Sequence, residues 1–236
     1  MDLNIIYEDK HILCLVKQQG VPSQSDKTED KDLMSQSLEY LKTNTENPYL
    51  GLIHRLDRPV GGVIVFAKNE FANKELSKQV QLRVTNKEYL TVVCGKPEKQ
   101  IGVLEDYIKK LKTINMSKIS TSEDKNAKHA KLEYEILGIK ETDEYGTLTL
   151  LKVKLYTGRH HQIRLQLSNA GIPIWGDNKY NKAFVKRKEW TQIALWSHRL
   201  SLQHPRSKAN LEFHSVPGEA EPWTSFQSIL SQELIK

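Results

Sequence analysis

The 236-residue sequence is poor in cysteine: it has only Cys14 and Cys94, with no Cys-x-x-Cys spacing. Both lie in apolar, strand-like runs, which favours a reducing compartment and predicts no structural zinc. The longest apolar runs, such as residues 63–67, fall far short of the about 20 residues that a transmembrane helix needs. The first ten residues also lack the basic and apolar regions of a secretory signal. These absences predict a cytoplasmic protein without membrane association.

Acidic residues are outnumbered, since 35 Lys and Arg stand against 29 Asp and Glu, for a formal charge of +6. The excess is uneven, with basic clusters at residues 109–112 and 179–188. Because local positive charge attracts polyanions, this pattern favours nucleic acid as a partner. With 38% hydrophobic residues and no Pro/Gly/Ser-rich break, we expect one globular domain over residues 1–236.

Hydrophobic periodicity predicts more strands than helices. Apolar runs predict strands at residues 5–7, 12–16, 63–67, 89–93, 132–136, 147–155, 195–202 and 211–213. Apolar residues at i, i+4 and i+7 (Met34, Leu38, Leu41) predict a helix capped by Asp30 or Asp32, and four-residue spacing predicts a second over about 69–83 capped by Asn69. Residues 113–128 and 179–190 are typical of exposed loops. Because the strands come in neighbouring runs, we predict an α+β fold, a largely antiparallel mixed β-sheet flanked by helices.

A polar cluster interrupts two apolar runs within residues 51–68, and Asp57 lies at the interruption. Pro59 pushes the preceding Arg58 towards an extended conformation, and the glycines that follow permit unusual dihedral angles. We therefore expect Asp57 on a tight, fixed loop between buried strands, where catalytic groups are often presented. From these residues alone, the alternative is a surface carboxylate paired with Arg55 and Arg58.

A second polar cluster reads Thr157-Gly158-Arg159-His160-His161-Gln162-Ile163-Arg164. The apolar stripe that follows predicts a helix ending at Gly171, with His161 and Arg164 on one face. The adjacent histidines raise the possibility of a metal site. Neighbouring helical positions diverge by about 100°, however, and no nearby cysteine or carboxylate completes a ligand set. We therefore expect no metal here.

Several separated motifs stand out along the sequence: His54-Arg55-Leu56-Asp57, Lys87-Glu88-Tyr89, Thr157-Gly158-Arg159 with His161-Gln162-Ile163-Arg164, and Gly176-Asp177 with Tyr180. Together they resemble the motifs of the RluA-type RNA pseudouridine synthases. Their order and spacing also match, and the resemblance extends from Ile6-Tyr7-Glu8-Asp9 to His204-Pro205. Because separated motifs rarely coincide by accident, the resemblance is far more specific than a lone His-Arg-Leu-Asp.

The resemblance implies a pseudouridine synthase fold with a central RNA-binding cleft, and a reaction that needs neither cofactor nor metal. Selected uridines of ribosomal or transfer RNA would be isomerised: the glycosidic bond breaks, uracil turns, and a carbon–carbon bond forms. Carried over by motif, Asp57 matches the catalytic aspartate and Tyr89 the tyrosine that stacks on the base. Arg164 matches the basic partner of the aspartate, and Arg55 the arginine that fills the space of the flipped nucleotide.

Some roles stay open at this level. Asp57 could attack the sugar, attack the base or remove a sugar proton, and it must be ionised for each. His54, Arg159 and His161 are assigned to RNA contacts, with a structural role for Arg159 and His161 as the alternative. Gln162 and His161 could also satisfy buried backbone groups.

Two positions depart from the family pattern. Lys17-Gln18 stands where the family usually has Lys-Pro, and Val60-Gly61-Gly62 where it usually has Thr-Ser before the glycine. The second departure lies three residues from Asp57, so the bracing of its loop is expected to differ. The first strand begins at about residue 4, so we expect only the catalytic domain, without an amino-terminal RNA-binding module.

The predicted protein is a monomeric RNA-modifying enzyme whose partner is RNA. The alternative is a catalytically silent RNA-binding or ribosome-assembly protein on the same fold, which the altered loop after Asp57 makes conceivable. A third hypothesis, a metal-dependent nuclease that uses the histidines, lacks paired carboxylates and ligand spacing.

Overall fold

The computed structural model describes residues 3–25, 30–111, 113–187 and 190–235. Over these residues the strands are β1 Asn4–Glu8, β2 Ile12–Lys17, β3 Gly51–Leu52, β4 Gly61–Ala67, β5 Asn86–Cys94, β6 Ile101–Leu111, β7 Met116–Ser120, β8 Ala127–Thr142, β9 Gly146–Leu155, β10 Leu195–Gln203 and β11 Asn210–His214. The helices are α1 Leu33–Lys42, α2 Glu70–Gln81, α3 Gln162–Asn169, α4 Lys182–Val185 and α5 Gln227–Ile235, with a 3-10 turn at Trp223–Phe226 before α5.

The chain forms two compact units, one of residues 1–87 and 197–215 and the other of residues 88–196 and 216–236. Two of the three boundaries fall inside β5 and β10, and the third follows β11. The single domain predicted over residues 1–236 stays a prediction, and each unit is described by itself.

In the first unit, strands are ordered β1-β2-β4-β10, with β11 beside β10 and β3 beside β4. Successive side chains of a strand point to opposite faces, so Ile12 and Cys14 of β2 join Val63 and Val65 of β4 in one apolar cluster. Leu76 of α2 packs into the same cluster. The strands predicted at residues 5–7 and 12–16 are confirmed as β1 and β2, which pair antiparallel.

Both predicted helices of this unit begin at polar caps. The Asp32 side chain accepts from the Ser35 N–H and starts α1, and the Asn69 side chain accepts from the Ala72 N–H and starts α2. A cap of this kind satisfies one backbone donor that the first helical turn leaves unpaired. These start signals are therefore confirmed.

In the second unit, the strands are ordered β5-β9-β8-β6-β7. The predicted loop at residues 113–128 is wrong in part, because β7 lies within it and pairs with the second half of β6. The loop predicted at residues 179–190 is also wrong in part, because the short helix α4 lies within it; residues 188 and 189 of that prediction lie outside the described residues. The helix predicted to end at Gly171 is α3, which begins one residue after His161, and Gly171 follows it with φ +79°, the left-handed conformation that ends helices.

Every strand pair whose register is described is antiparallel. Together with the flanking helices, this confirms the predicted α+β class with a largely antiparallel sheet. No helix among the described residues is long and apolar enough to cross a membrane.

Candidate active-site residues

The residues that the motifs single out are divided between the two units. His54, Arg55 and Asp57 lie in the first unit, in the connection between β3 and β4. Tyr89, Arg159, His161 and Arg164 lie in the second unit, on β5, on α3 and in the turn before α3. Within each unit the structure brings the motif residues together as follows.

The loop that carries Asp57 is held by backbone hydrogen bonds. The Asp57 carbonyl accepts from the Val60 N–H at 2.9 Å, which closes the loop on itself. The Arg58 carbonyl accepts from the Gly20 N–H at 2.9 Å, and the Arg58 Nε donates back to the Gly20 carbonyl at 2.9 Å. The Arg58 guanidinium also pairs with Asp30. The connection after β2 therefore fixes the carboxyl side of Asp57.

Lys17, at the end of β2, is fully buried and reaches the same loop. Its Nζ donates to the carbonyls of Gln18 at 3.0 Å, Val21 at 2.6 Å and Arg58 at 3.1 Å. Burial lowers the pKa of Lys17 to about 7, and the charge of Asp57 opposes that shift. The three carbonyls match the three donors of an ammonium group, so this lysine ties the loop to the connection that follows β2.

Ser23 binds the residue directly before Asp57. Its Oγ donates to the Leu56 carbonyl at 2.8 Å and accepts from the Leu56 N–H at 3.1 Å. Both Ser23 and Leu56 are buried. The amino side of Asp57 is therefore fixed by a side chain 33 residues away in the sequence.

Close packing against β10 explains why glycine occupies position 62, after the loop. Gly62 has φ +112°, and a Cβ there would lie 2.7 Å from the Ser197 N and 2.8 Å from its carbonyl carbon, with the carbonyl oxygen nearer still. Only glycine allows β4 and β10 to approach this closely. Val60 and Gly61, which depart from the family pattern, thus lie between the Asp57 loop and Gly62. The loop itself is held by hydrogen bonds from residues 17–23.

His54 is anchored to a strand. Its Nε2 accepts from the Val65 N–H of β4 at 3.3 Å, and the ring is only partly exposed. Burial, together with the positive charge of Lys87, holds the pKa of His54 well below its usual value. Burial also lowers the pKa of Lys87 to about 8. His54 is therefore a neutral imidazole at physiological pH, whereas Arg55 beside it is exposed.

In the second unit, Arg164 of α3 forms a buried ion pair. Its Nε and Nη2 donate to the two carboxylate oxygens of Asp177 at 2.9 and 2.7 Å. Asp177 also accepts from the backbone N–H groups of Lys179 and Tyr180. A bidentate pair of this kind fixes the plane of the guanidinium. Asp177, in the Gly176-Asp177 motif, is thus the side chain that orients Arg164 in its own unit.

His161 and Tyr180 share a hydrogen bond next to this ion pair. The Tyr180 hydroxyl accepts from the Ser117 N–H at 2.7 Å and lies 2.9 Å from the His161 Nδ1. The Arg164 guanidinium lies over the Tyr180 ring, 5.5 Å from its centre. The prediction that His161 and Arg164 lie on one helix face is wrong, because His161 precedes α3 as its left-handed N-cap; the two residues are joined through Tyr180 instead.

The two adjacent histidines do not diverge as predicted. His161 has φ +56° and caps α3 outside the helix, so its ring stacks on that of His160 at 3.8 Å between centres. The His160 Nδ1 lies 2.8 Å from the Ser117 Oγ and its Nε2 lies 2.9 Å from the Asn115 Oδ1. Among the described residues, no three His, Cys, Asp or Glu side chains cluster as a metal site would require.

Arg159 and Gln162 hold the turn before α3. The Gln162 Oε1 accepts from the Arg159 N–H at 2.9 Å and from the Thr157 hydroxyl at 2.8 Å, and its Nε2 donates to the Lys131 carbonyl. The Arg159 Nε donates to the His129 carbonyl at 2.8 Å. The predicted alternative, that Gln162 satisfies buried backbone groups, matches these contacts. Tyr89 is buried on β5, where it pairs with Val153 of β9.

Lys17, Ser23, Asp177 and Tyr180 were not among the predicted site residues. Lys17 carried a signal in the sequence, because a lysine that ends an apolar strand is expected to be buried, and a buried ammonium group needs hydrogen-bond partners. Asp177 and Tyr180 carried a weaker one, as members of a motif without an assigned task. Ser23 carried none, since its contact with Leu56 depends on the folded chain.

The sequence model of the RNA pseudouridylate synthase family matches residues 11–169, more than half of the chain. A relative from Borreliella burgdorferi, ribosomal large subunit pseudouridine synthase D, is 33% identical over 84% of this chain and 60% of its own length. An uncharacterized RNA pseudouridine synthase of Aquifex aeolicus is 33% identical over 97% of this chain and 72% of its own length. The chain belongs to the RNA pseudouridylate synthase family, which confirms the resemblance seen in the motifs.

Solved structures agree at the level of the fold. Human RNA pseudouridylate synthase domain containing 1 superposes with a TM-score of 0.75 at 20% identity, covering 100% of this chain and 96% of that protein. Human RNA pseudouridylate synthase domain containing 4 superposes with a TM-score of 0.76 at 20% identity, covering 98% of this chain and 93% of that protein. The chain spans 60% and 66% of the length of two of the curated relatives it matches, those from B. burgdorferi and Helicobacter pylori strain J99.

Proposed function

We propose that the protein isomerises uridine to pseudouridine in RNA, with ribosomal RNA as the first substrate class to test and transfer RNA as the second. The observation that carries the proposal is Asp57 itself, a carboxylate on a loop whose backbone is hydrogen-bonded on both sides. Membership of the family and the names of relatives that act on the large ribosomal subunit support it.

The reaction needs a base taken out of its stack, because a carboxylate cannot reach the sugar or the base face of a stacked uridine. We propose that Arg55, which is exposed next to the Asp57 loop, fills the space that the extruded nucleotide leaves in the RNA. We assign stacking on the extruded base to Tyr89, a contact worth roughly 1–3 kcal/mol with little demand for base identity. Uracil then detaches from the sugar, turns and rejoins through its carbon 5, which loses its proton.

We assign Arg164 the role that the family resemblance gives it, the basic residue of the catalytic site. Its bidentate bond to Asp177 supports this role, because a guanidinium fixed in advance needs no reordering when RNA binds. His54 and Arg159 are proposed to contact RNA. The buried, neutral His161 supports a positioning role better than a phosphate contact. Monomeric state, cytoplasmic location and independence of cofactor and metal stay predictions from the sequence.

The test is tritium release from RNA labelled at carbon 5 of uracil, with ribosomal and transfer RNA pools assayed separately. We expect the wild type to release tritium from at least one pool, and Asp57→Asn to lose the reaction while it still folds and binds RNA. A fully active Asp57→Asn protein would remove the central assignment. No release from either pool despite RNA binding would favour the silent RNA-binding or ribosome-assembly protein.

A further inference from the structure

Ser23 lies in the connection between β2 and α1, outside every motif of the family resemblance. It is 5% exposed, and its hydroxyl forms both hydrogen bonds to Leu56, as donor to the carbonyl and as acceptor from the N–H. One side chain thus satisfies both polar backbone groups of a buried residue, as a neighbouring strand would. Leu56 directly precedes Asp57.

These two bonds restrict the peptide planes on both sides of Leu56. The second of those planes contains the Asp57 nitrogen, so its orientation sets the direction in which the Asp57 side chain leaves the backbone. On the other side, the Asp57 carbonyl is bound by Val60 and the Arg58 carbonyl by Gly20 and Lys17. Ser23 therefore holds the residue on the amino side of Asp57.

We propose that Ser23 is a positioning residue for Asp57, a proposal that rests on the catalytic role proposed for Asp57. Ser23 acts through the Leu56 backbone and touches no reacting atom. Its contribution is the direction of the carboxylate, and a displacement of about 1 Å at a reacting group can cost on the order of 100-fold in rate.

A matched control lies in the same unit. Ser37 on α1 is fully buried, and its hydroxyl donates to the Leu33 carbonyl at 2.8 Å. Ser37→Ala therefore removes a buried hydroxyl, as Ser23→Ala does, but leaves the backbone around Asp57 untouched. A general loss of stability would affect both variants, whereas loss of positioning would affect Ser23→Ala alone.

The experiment measures kcat and KM for pseudouridine formation on the RNA pool that the wild type modifies, together with amide hydrogen exchange at Leu56. We expect Ser23→Ala to lower kcat tenfold or more, with KM within about twofold, and to speed exchange of the Leu56 N–H. Ser37→Ala should leave kcat, KM and the exchange of the Leu56 N–H unchanged. If Ser23→Ala does not fold, Ser23→Thr and Ser23→Val form a pair of equal shape that differs in the hydroxyl, and only Ser23→Thr should retain kcat.

The outcomes separate this proposal from the function on which it rests. An inactive wild type would overturn the proposed function. An active wild type with Ser23→Ala at the same kcat, or with a change in KM alone, would overturn the role of Ser23 and leave the function standing. An equal loss of kcat in Ser37→Ala and Ser23→Ala would show that the effect comes from reduced stability, and it would also overturn the positioning role of Ser23.

Discussion

At the scale of single residues, His161 illustrates how a polar group is kept neutral inside the protein. Burial lowers its pKa to about 2, and the positive charges of Arg164, His160, Lys179 and Lys110 add to the shift. The Tyr180 hydroxyl accepts from the Ser117 N–H and lies 2.9 Å from the His161 Nδ1. A neutral ring with its proton on Nε2 can accept the hydroxyl hydrogen at Nδ1, whereas a protonated ring can only donate there.

This arrangement makes a prediction about pH. A histidine that titrates near 6.5 when unfolded and near 2 when folded binds more protons in the unfolded chain below pH 6.5, so its contribution to stability falls as pH falls. Between pH 7 and 5 we expect the wild type to lose about 2 kcal/mol of stability from this residue. His161→Asn, whose Oδ1 can accept from Tyr180 and which tolerates φ +56°, should lack that loss.

Urea unfolding of both proteins at pH 7, 6 and 5 measures the difference. His214→Asn, a substitution at an exposed position, is the control and should follow the wild type. A free-energy gap between the wild type and His161→Asn that stays constant over this range would contradict the prediction.

The motif residues could be found from sequence because each carries a recognisable side chain at a recognisable spacing. Their partners could not be found in this way. Lys17 meets the Arg58 carbonyl 41 residues away, and Arg164 meets Asp177 across a turn whose geometry depends on Gly176 at φ +76°. The spacing of polar residues does not record which of them the folded chain brings into contact, so the support around Asp57 and Arg164 emerged only in three dimensions.

At the scale of elements, the close approach of β4 and β10 at Gly62 makes a prediction about stability. Gly62→Ala would press a methyl group against the Ser197 backbone at a φ that side chains rarely adopt. We expect a loss of about 3 kcal/mol or more, from overpacking and backbone strain together. Gly218→Ala, where the added Cβ would meet no atom within 4 Å, is the matched control. Equal urea midpoints for the two variants would contradict the prediction.

Elements with strong local signals were predictable, and elements held by pairing were not. Asp32 and Asn69 marked the starts of α1 and α2, because a cap is a local interaction. β7 has the sequence Met-Ser-Lys-Ile-Ser, which is polar enough for a loop, and its strand exists through pairing with residues 107–111 of β6. Strand propensity depends on neighbours across the sheet, so the loop predicted over 113–128 missed it.

At the scale of the whole molecule, an exposed tryptophan beside a basic segment offers a way to detect RNA binding. Trp190 is 68% exposed, whereas Trp175, Trp196 and Trp223 are between 3% and 6% exposed. It follows a basic segment in which Lys182 and Lys186 are exposed. Fluorescence that a neutral quencher such as acrylamide can reach should therefore come from this one of the four tryptophans, next to the segment predicted to touch RNA.

We expect ribosomal RNA to protect the protein from acrylamide quenching, with an affinity that falls steeply as salt rises, because each phosphate contact releases counterions. Trp190→Phe should remove the quenchable emission. Replacing Lys182 and Lys186 by alanine should weaken binding and reduce the salt slope by about 1–2. The same replacement of Lys74 and Lys78, exposed on α2, changes net charge equally and should have a smaller effect. Equal losses in the two double variants would mean that net charge, and not the segment before Trp190, attracts the RNA.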